Sequence, residues 1–339
     1  MLEIEELVSL KPFNTFGIEA IADYWITIHS EDELLELYRK NYLLSYKCLI
    51  LGGGSNVLFL DNFKGIVIHP DIKGVETISE DEDSILIKVY AGEDWDSFVK
   101  YAVDNDWGGI ENLSGIPGKV GAAPIQNIGA YGIEVKDTLV AVEGFNIQSG
   151  EFFHLENFEC ELSYRSSIFK THLAGKAIVT SVIFRLTKTN HSFKLSYSGL
   201  VNKLKASENI NLQNIRKAII SLRDEKLPNP ALIGNAGSFF KNPVVNQSKA
   251  IRLKADYPNI PLYEAEKDRY KISAAWLIEQ CGWKGFRNEN VGVFEKQPLV
   301  LVNYGNATGM EILNLATEIQ DSIKKKFDVD LEMEVNIIS

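Results

Sequence analysis

Sulfur and imidazole are sparse in this 339-residue chain. Cys48, Cys160 and Cys281 are odd in number and more than a hundred residues apart, which excludes a disulfide framework and a zinc-ligand spacing. They read as buried thiols in a reducing compartment. His29, His69, His154, His172 and His191 form no HExxH and no close pair, so no metal is expected. The chain has no run of about 18 apolar residues, which argues against a membrane span. Its opening, Met-Leu-Glu-Ile-Glu-Glu, lacks the basic and apolar parts of a signal peptide, and a cytoplasmic location is expected. Positive charge is also short. Thirty-five Lys and Arg against 46 Asp and Glu leave −11, which disfavours a nucleic-acid or anionic-membrane partner. A polyanionic substrate would have to meet a local basic patch within an acidic whole.

What is present is the composition of a folded soluble protein: 45% hydrophobic and 24% charged residues. The length exceeds one ordinary core, so two or three domains are expected. Ser30-Glu-Asp-Glu33 reads as a capping box ahead of Leu34, Leu35, Leu37 and Tyr38. Cys48 to Leu51 and Val57 to Leu60 read as short strands. Ile85, Ile87, Val89 and Ala91 alternate as a strand does, and Trp95, Phe98, Val99, Ala102 and Val103 repeat at helical spacing. Leu139 to Ile147 and Ala177 to Leu186 are strand-like. The polar run Thr187 to Asn211 reads as a linker with an excursion at Leu195 to Leu200. Ala274, Leu277, Ile278 and Cys281 make one helix face, stopped by Gly282. Thr308-Gly-Met-Glu311 caps a helix burying Ile312, Leu315, Ala316, Ile319 and Ile323, and Lys324 to Lys326 suit its dipole. There is no repeat and no low-complexity tract. Three α+β units are expected.

Two glycine-rich loops stand out. Gly52-Gly-Gly-Ser-Asn56 lies between apolar strands, where successive small residues let backbone N–H groups converge on an anion. It is neither a Rossmann fingerprint, with Val57 where the last glycine belongs, nor a P-loop. Alone it could be a plain turn. Gly115-Ile-Pro-Gly-Lys-Val-Gly-Ala-Ala-Pro-Ile-Gln-Asn-Ile-Gly-Ala-Tyr-Gly132 is longer and more apolar than an ordinary connection. It suits backbone wrapped around a buried, flat, polar ligand. A third stretch, Asn235-Ala-Gly-Ser-Phe-Phe-Lys-Asn-Pro243, surrounds Ser238 with small neighbours, so that a substrate could approach its hydroxyl closely.

These stretches, with Asn14-Thr-Phe-Gly17, Tyr164-Arg165 and Leu331-Glu-Met-Glu-Val335, occur in an order that resembles the UDP-N-acetylenolpyruvoylglucosamine reductases. The resemblance runs from about residue 14 to residue 335. It implies an α+β chain with the vanillyl-alcohol-oxidase type of FAD-binding fold in two subdomains, 1–70 and 71–211, and a substrate-binding domain, 212–339. It implies a bacterial flavoenzyme with non-covalent FAD that uses NADPH to reduce the enolpyruvyl group of UDP-N-acetylglucosamine enolpyruvate, giving UDP-N-acetylmuramate for peptidoglycan.

Residue by residue, the resemblance makes Arg165 the grip on the substrate carboxylate, Ser238 the proton donor and Glu334 the acid that stabilises the intermediate. On a regular strand Glu332 would share the face of Glu334; the family motif favours the one before valine, although Met333 stands where proline is frequent. Expected FAD contacts are Gly52, Gly53, Gly54, Ser55, Asn56, Ile116, Gly118, Gly121, Ala122, Ala123, Ile125, Gln126, Asn127, Gly129 and Ala130. Expected substrate contacts are Tyr131, Tyr197 in a loop of the longer family form, Lys226, Asn242, Tyr263, Lys271 and Gln297. No second nucleotide fingerprint is present, so NADPH and the sugar are expected to share one pocket in turn, in a monomer. An alcohol or sugar oxidase on the same scaffold is the alternative, although many of those attach flavin through a histidine that neither glycine loop contains. A non-catalytic flavin-binding module is the third reading.

Overall fold

The computed structural model of the chain describes residues 2–204 and 209–339. It divides into two compact units. The first comprises Met1–Val8, Ala22–Gly53 and Lys64–Arg223, and the second Ser9–Ile21, Gly54–Phe63 and Asp224–Ser339.

The first unit contains two sheets. One has four strands in the spatial order Ile4–Ser9, Ile21–Ile28, Phe63–Pro70, Cys48–Ile50. Its last pair is parallel, with Cys48 opposite Ile66. Helix Glu31–Arg39 buries Leu34 and Leu37 into the same core as Ile26, Ile28, Ile66 and Ile68. Its cap departs from the expected box. Ser30 accepts from Glu33 N, but the Glu33 carboxylate takes the His29 N–H at 2.7 Å, one residue further back.

The other sheet has five antiparallel strands in the order Glu151–Glu156, Leu139–Asn146, Ala177–Thr187, Ser84–Tyr90, Val75–Glu80. Ile85, Ile87 and Val89 alternate inward as expected. Helix Trp95–Asp104, capped by Asp94, buries Trp95, Phe98, Val99, Ala102 and Val103 in this core.

The linker reading of Thr187 to Asn211 is corrected. Helix Ser198–Leu204 lies within it, and Leu200 and Leu204 pack with Ile215, Ile219 and Leu222 of helix Leu212–Lys226 into a small core that also takes Phe193 and Leu195. A few well-spaced apolar residues in a polar stretch are enough for this, which average polarity conceals. Residues 205–208 of that stretch lie outside the described residues.

The second unit is built around Phe16, Phe239 and Phe240, with edge-on rings 6.2 and 5.2 Å apart. Val57–Phe59 pairs in parallel with Asn336–Ile338, and Val291–Val293 pairs antiparallel with Leu301–Asn303. A three-stranded sheet runs Val244–Asn246, Arg269–Ile272, Leu262–Glu266. Helix Gly309–Phe327 has the expected reciprocal Thr308–Glu311 capping box and buries Ile312, Leu315, Ala316, Ile319 and Ile323. Among the described residues no helix is long and apolar enough to cross a membrane.

Candidate active site

The two glycine loops meet inside the first unit. A Cβ added to Gly53 would lie 2.9 Å from the Gly118 Cα, and one on Gly52 would touch Lys119 and Ala122 at 3.6–3.7 Å. Backbone thus rests on backbone at Gly53 and Gly118, and the small residues Gly52 and Ala122 keep the two loops in close contact beside the Lys119 stem. A flavin dinucleotide needs such close access to main chain for its diphosphate, and these residues fit it. Asp71 pairs with Lys73 at 3.0 Å and lies 3.9 Å from Lys119. Burial and the neighbouring Lys73 hold the Lys119 ammonium below its ordinary value.

Much of the second loop is spent on its own architecture. The N–H groups of Val120 and Gly121 donate to Glu93 and Ala91 carbonyls. Those of Ala122, Ala123, Ile125, Asn127 and Ile128 close turns within the loop. The expected contacts Gly121, Ala122, Ala123, Ile125 and Asn127 therefore offer shape, not main-chain donors. Asn127 is fully buried. Its Nδ2 donates to Glu134 and to the Ser163 carbonyl, and its Oδ1 accepts from Lys136 N. Its amide serves the frame. Ile116, Gln126, Gly129 and Ala130 are half-buried along the same loop.

Arg165 belongs to this assembly. It sits at φ +55° in the tight Ser163–Ser166 turn, and its Nη2 donates to the Gly129 carbonyl at 2.8 Å. Ser167 Oγ donates to the Ile125 carbonyl at 2.6 Å. With Asn127 to Ser163, three bonds zip the arginine turn to the loop. At the loop's end Tyr131 meets Tyr197 edge-on at 5.0 Å. Burial pushes the Tyr131 phenol above its ordinary value, against the pull of Arg223.

In the second unit, residues 238–241 run between two other segments. Ser238 bridges Val300, Phe239 N donates to Leu299 O, and Glu334 N donates to Phe239 O at 2.8 Å. The backbones carrying Ser238 and Glu334 are therefore adjacent. The same-face expectation for the two glutamates is corrected. Glu334 is buried, whereas Glu332 is exposed and pairs with Lys241, because a single bridge at Met333 followed by a bend replaces a regular strand. The first glycine loop enters this unit at Gly54, whose φ of +60° and approach to the Phe13 carbonyl admit no side chain. Ser55 is half-buried, and Asn56 Nδ2 donates to the Glu334 carbonyl at 3.2 Å.

Lys226 ends its helix, and Asn242 Oδ1 accepts from Ala274 N at 2.9 Å. Lys271 lies opposite both Val244 and Tyr263 in the three-stranded sheet, and Tyr263 is 59% exposed. Gln297 is half-buried in the turn after Phe294.

Several positioning residues escaped the sequence reading. Asp96 takes a bidentate contact from Arg216 at 2.6 and 2.8 Å and also the Gly115 N–H, which fixes the start of the second loop. Arg223 stands against Gly115. Asn235 holds Gly237 N and Asn303 holds Phe16 O around the serine loop. Isolated asparagines carry no periodic signal.

The FAD binding domain family model matches residues 22–156, and that of the UDP-N-acetylenolpyruvoylglucosamine reductase C-terminal domain matches residues 229–338. Glycine cradle and matched domain together define an α+β, FAD-binding oxidoreductase. A UDP-N-acetylenolpyruvoylglucosamine reductase of Flavobacterium johnsoniae is 46% identical over 99% of this chain and 100% of its own, and one of Amoebophilus asiaticus is 47% identical over the same shares. The crystal structure of the Thermus caldophilus reductase covers 100% of both chains with a TM-score of 0.69 at 24% identity, which speaks to the fold. The chain belongs to the UDP-N-acetylenolpyruvoylglucosamine reductase family, which serves peptidoglycan-precursor synthesis.

Proposed function

We propose that the chain reduces the enolpyruvyl ether of UDP-N-acetylglucosamine enolpyruvate with NADPH, giving UDP-N-acetylmuramate. The observation that carries this reading is the zipping of the Arg165 turn to the second glycine loop, the loop whose Gly118 packs directly on Gly53 of the first. Bound FAD, held by the two loops, supplies two-electron hydride chemistry. The double bond must gain a hydride at its terminal carbon and a proton at the adjacent one.

Arg165 binds the substrate carboxylate and stabilises the negative charge that moves onto it. A guanidinium has several N–H donors, so holding Gly129 with Nη2 is compatible with that grip. Ser238 gives the proton, since an enolate is basic enough to take it from an aligned hydroxyl, and solvent reprotonates the serine. Glu334, buried on the adjacent backbone, helps stabilise the enolate form. Tyr131, Tyr197, Lys226, Asn242, Tyr263, Lys271 and Gln297 bind the sugar nucleotide. NADPH and the sugar use one pocket alternately, in a cytoplasmic monomer. The partition 1–70, 71–211 and 212–339 goes with the same proposal, its first two domains supplying the two sheets of the first unit.

The test is NADPH absorbance followed with purified yellow protein, with and without the enolpyruvyl sugar. Ser238→Ala should keep flavin reduction by NADPH and lose reoxidation by the sugar by about a hundredfold or more. Equal slowing of both half-reactions would remove the proton-donor assignment. With both substrates varied, parallel initial-rate lines are expected for the shared pocket, and intersecting lines contradict it.

A further inference from the structure

Asn112 is fully buried, and its amide makes two donated hydrogen bonds to segments far apart in sequence. Nδ2 gives one hydrogen to the Tyr131 carbonyl and one to the Lys194 carbonyl, each at 2.8 Å. Among the described residues its Oδ1 is buried without a hydrogen-bond partner. An unmet acceptor in a dry site is a cost, and a leucine of similar volume would avoid it. The side chain is therefore there for its two donors.

The tied segments carry Tyr131 and, three residues beyond Lys194, Tyr197. Their rings meet edge-on at 5.0 Å. The Phe193–Leu204 stretch is otherwise held by the small apolar core of Leu200, Leu204, Ile215, Ile219 and Leu222. Phe193 and Leu195 at its near end pack on the same small core, Phe193 also on the core around Trp95, and the Asn112 amide adds a directional tie at Lys194.

We propose that Asn112 is a positioning residue for sugar binding. It clasps the Tyr197-bearing segment to the end of the second glycine loop and sets the spacing of the two tyrosines. The inference rests on the reading of Tyr131 and Tyr197 as substrate contacts, and its test separates the two ideas.

Asn112→Asp keeps the volume but replaces both donors by acceptors facing two carbonyls. Backbone hydrogen exchange on the FAD-loaded protein should speed up across residues 193–204 and stay unchanged across residues 84–103. FAD content should hold, the KM for the enolpyruvyl sugar should rise about tenfold, and kcat should change by less than about threefold. Unchanged exchange at 193–204 in a folded variant overturns the clasp. Faster exchange with an unmoved KM leaves the clasp standing and removes the substrate reading of Tyr197. Should the variant not fold, the unsubstituted protein still decides: with asparagine labelled by nitrogen-15, both Asn112 side-chain protons should exchange slowly with solvent, and rapid exchange overturns the proposal.

Discussion

The second glycine loop and the three-stranded sheet of the second unit both carry residues proposed to touch ligand, yet they are built differently. Around the loop, Arg165, Ser167 and Asn127 make hydrogen bonds of 2.6–3.0 Å that lock it to the arginine turn, and Asp96 pins its start. On the sheet, Tyr263 is 59% exposed, the Val244–Asn246 strand has no buried residue, and Ile272 is the one buried residue of Arg269–Ile272. A frame that is over-determined by its own bonds holds its geometry before any ligand arrives. A sparsely packed strand belongs to the less stable end of a fold. A change at the loop should therefore reach cofactor and stability together, whereas a change on the sheet should stay local.

The largest effect is expected at Gly53. Valine there would drive a side chain into the Gly118 backbone, which offers no flexible atom to yield. Gly53→Val should purify with little or no flavin, read as the ratio of absorbance near 450 nm to that at 280 nm, with titrated FAD affinity lower by about a hundredfold or more. A fully yellow Gly53→Val protein would mean that the two loops do not form the cradle.

Asp96→Asn should come next. Burial raises its pKa, but Arg216 and the Gly115 N–H outweigh this and hold the carboxyl below its ordinary value. A depressed carboxyl contributes stability above its unfolded pKa of about 3.9 and loses it as pH falls through the folded value. The side chain is a third exposed, so solvent screening reduces the effect, and a loss of about 1–2 kcal/mol at pH 7 is expected. Denaturant melts of both proteins from pH 7 down to about pH 3 should show their difference shrinking below about pH 4. A constant difference across that range would mean that the ion pair is not the source.

Local pattern accounts for most of what could be read in advance. Ile85, Ile87 and Val89 alternate, Trp95 to Val103 repeat at helical spacing, and Thr308 with Glu311 closes a box four residues long. Each needs only neighbours in sequence. Where the outcome depended on a distant partner, the reading thinned. Glu33 chose His29 N over Ser30 N, Glu332 and Glu334 parted because the chain bends after Met333, and the stretch after Thr187 folded onto helix Leu212–Lys226. The glycine loops stood out by composition, but their meeting at Gly53 and Gly118 is a tertiary fact. An amide in a glycine loop can serve ligand or frame, and the three protein partners of the Asn127 side chain, which tie it to the frame, lie at Glu134, Lys136 and Ser163, beyond the reach of local pattern.

The smallest effect sharpens the comparison from the other side. Tyr263 lies opposite Lys271 on the sheet, more than half exposed and with no ring partner among the described residues. Tyr263→Ala should shift stability by no more than about 0.5 kcal/mol and leave FAD content untouched. If the ring stacks on or covers the sugar nucleotide, the KM for the enolpyruvyl sugar should rise about three- to tenfold with kcat nearly constant, since uniform binding would be removed. A fall in kcat without a change in KM would mean that this strand acts on the chemical step, and that the sheet is as rigidly tied to the reaction as the loop around Arg165.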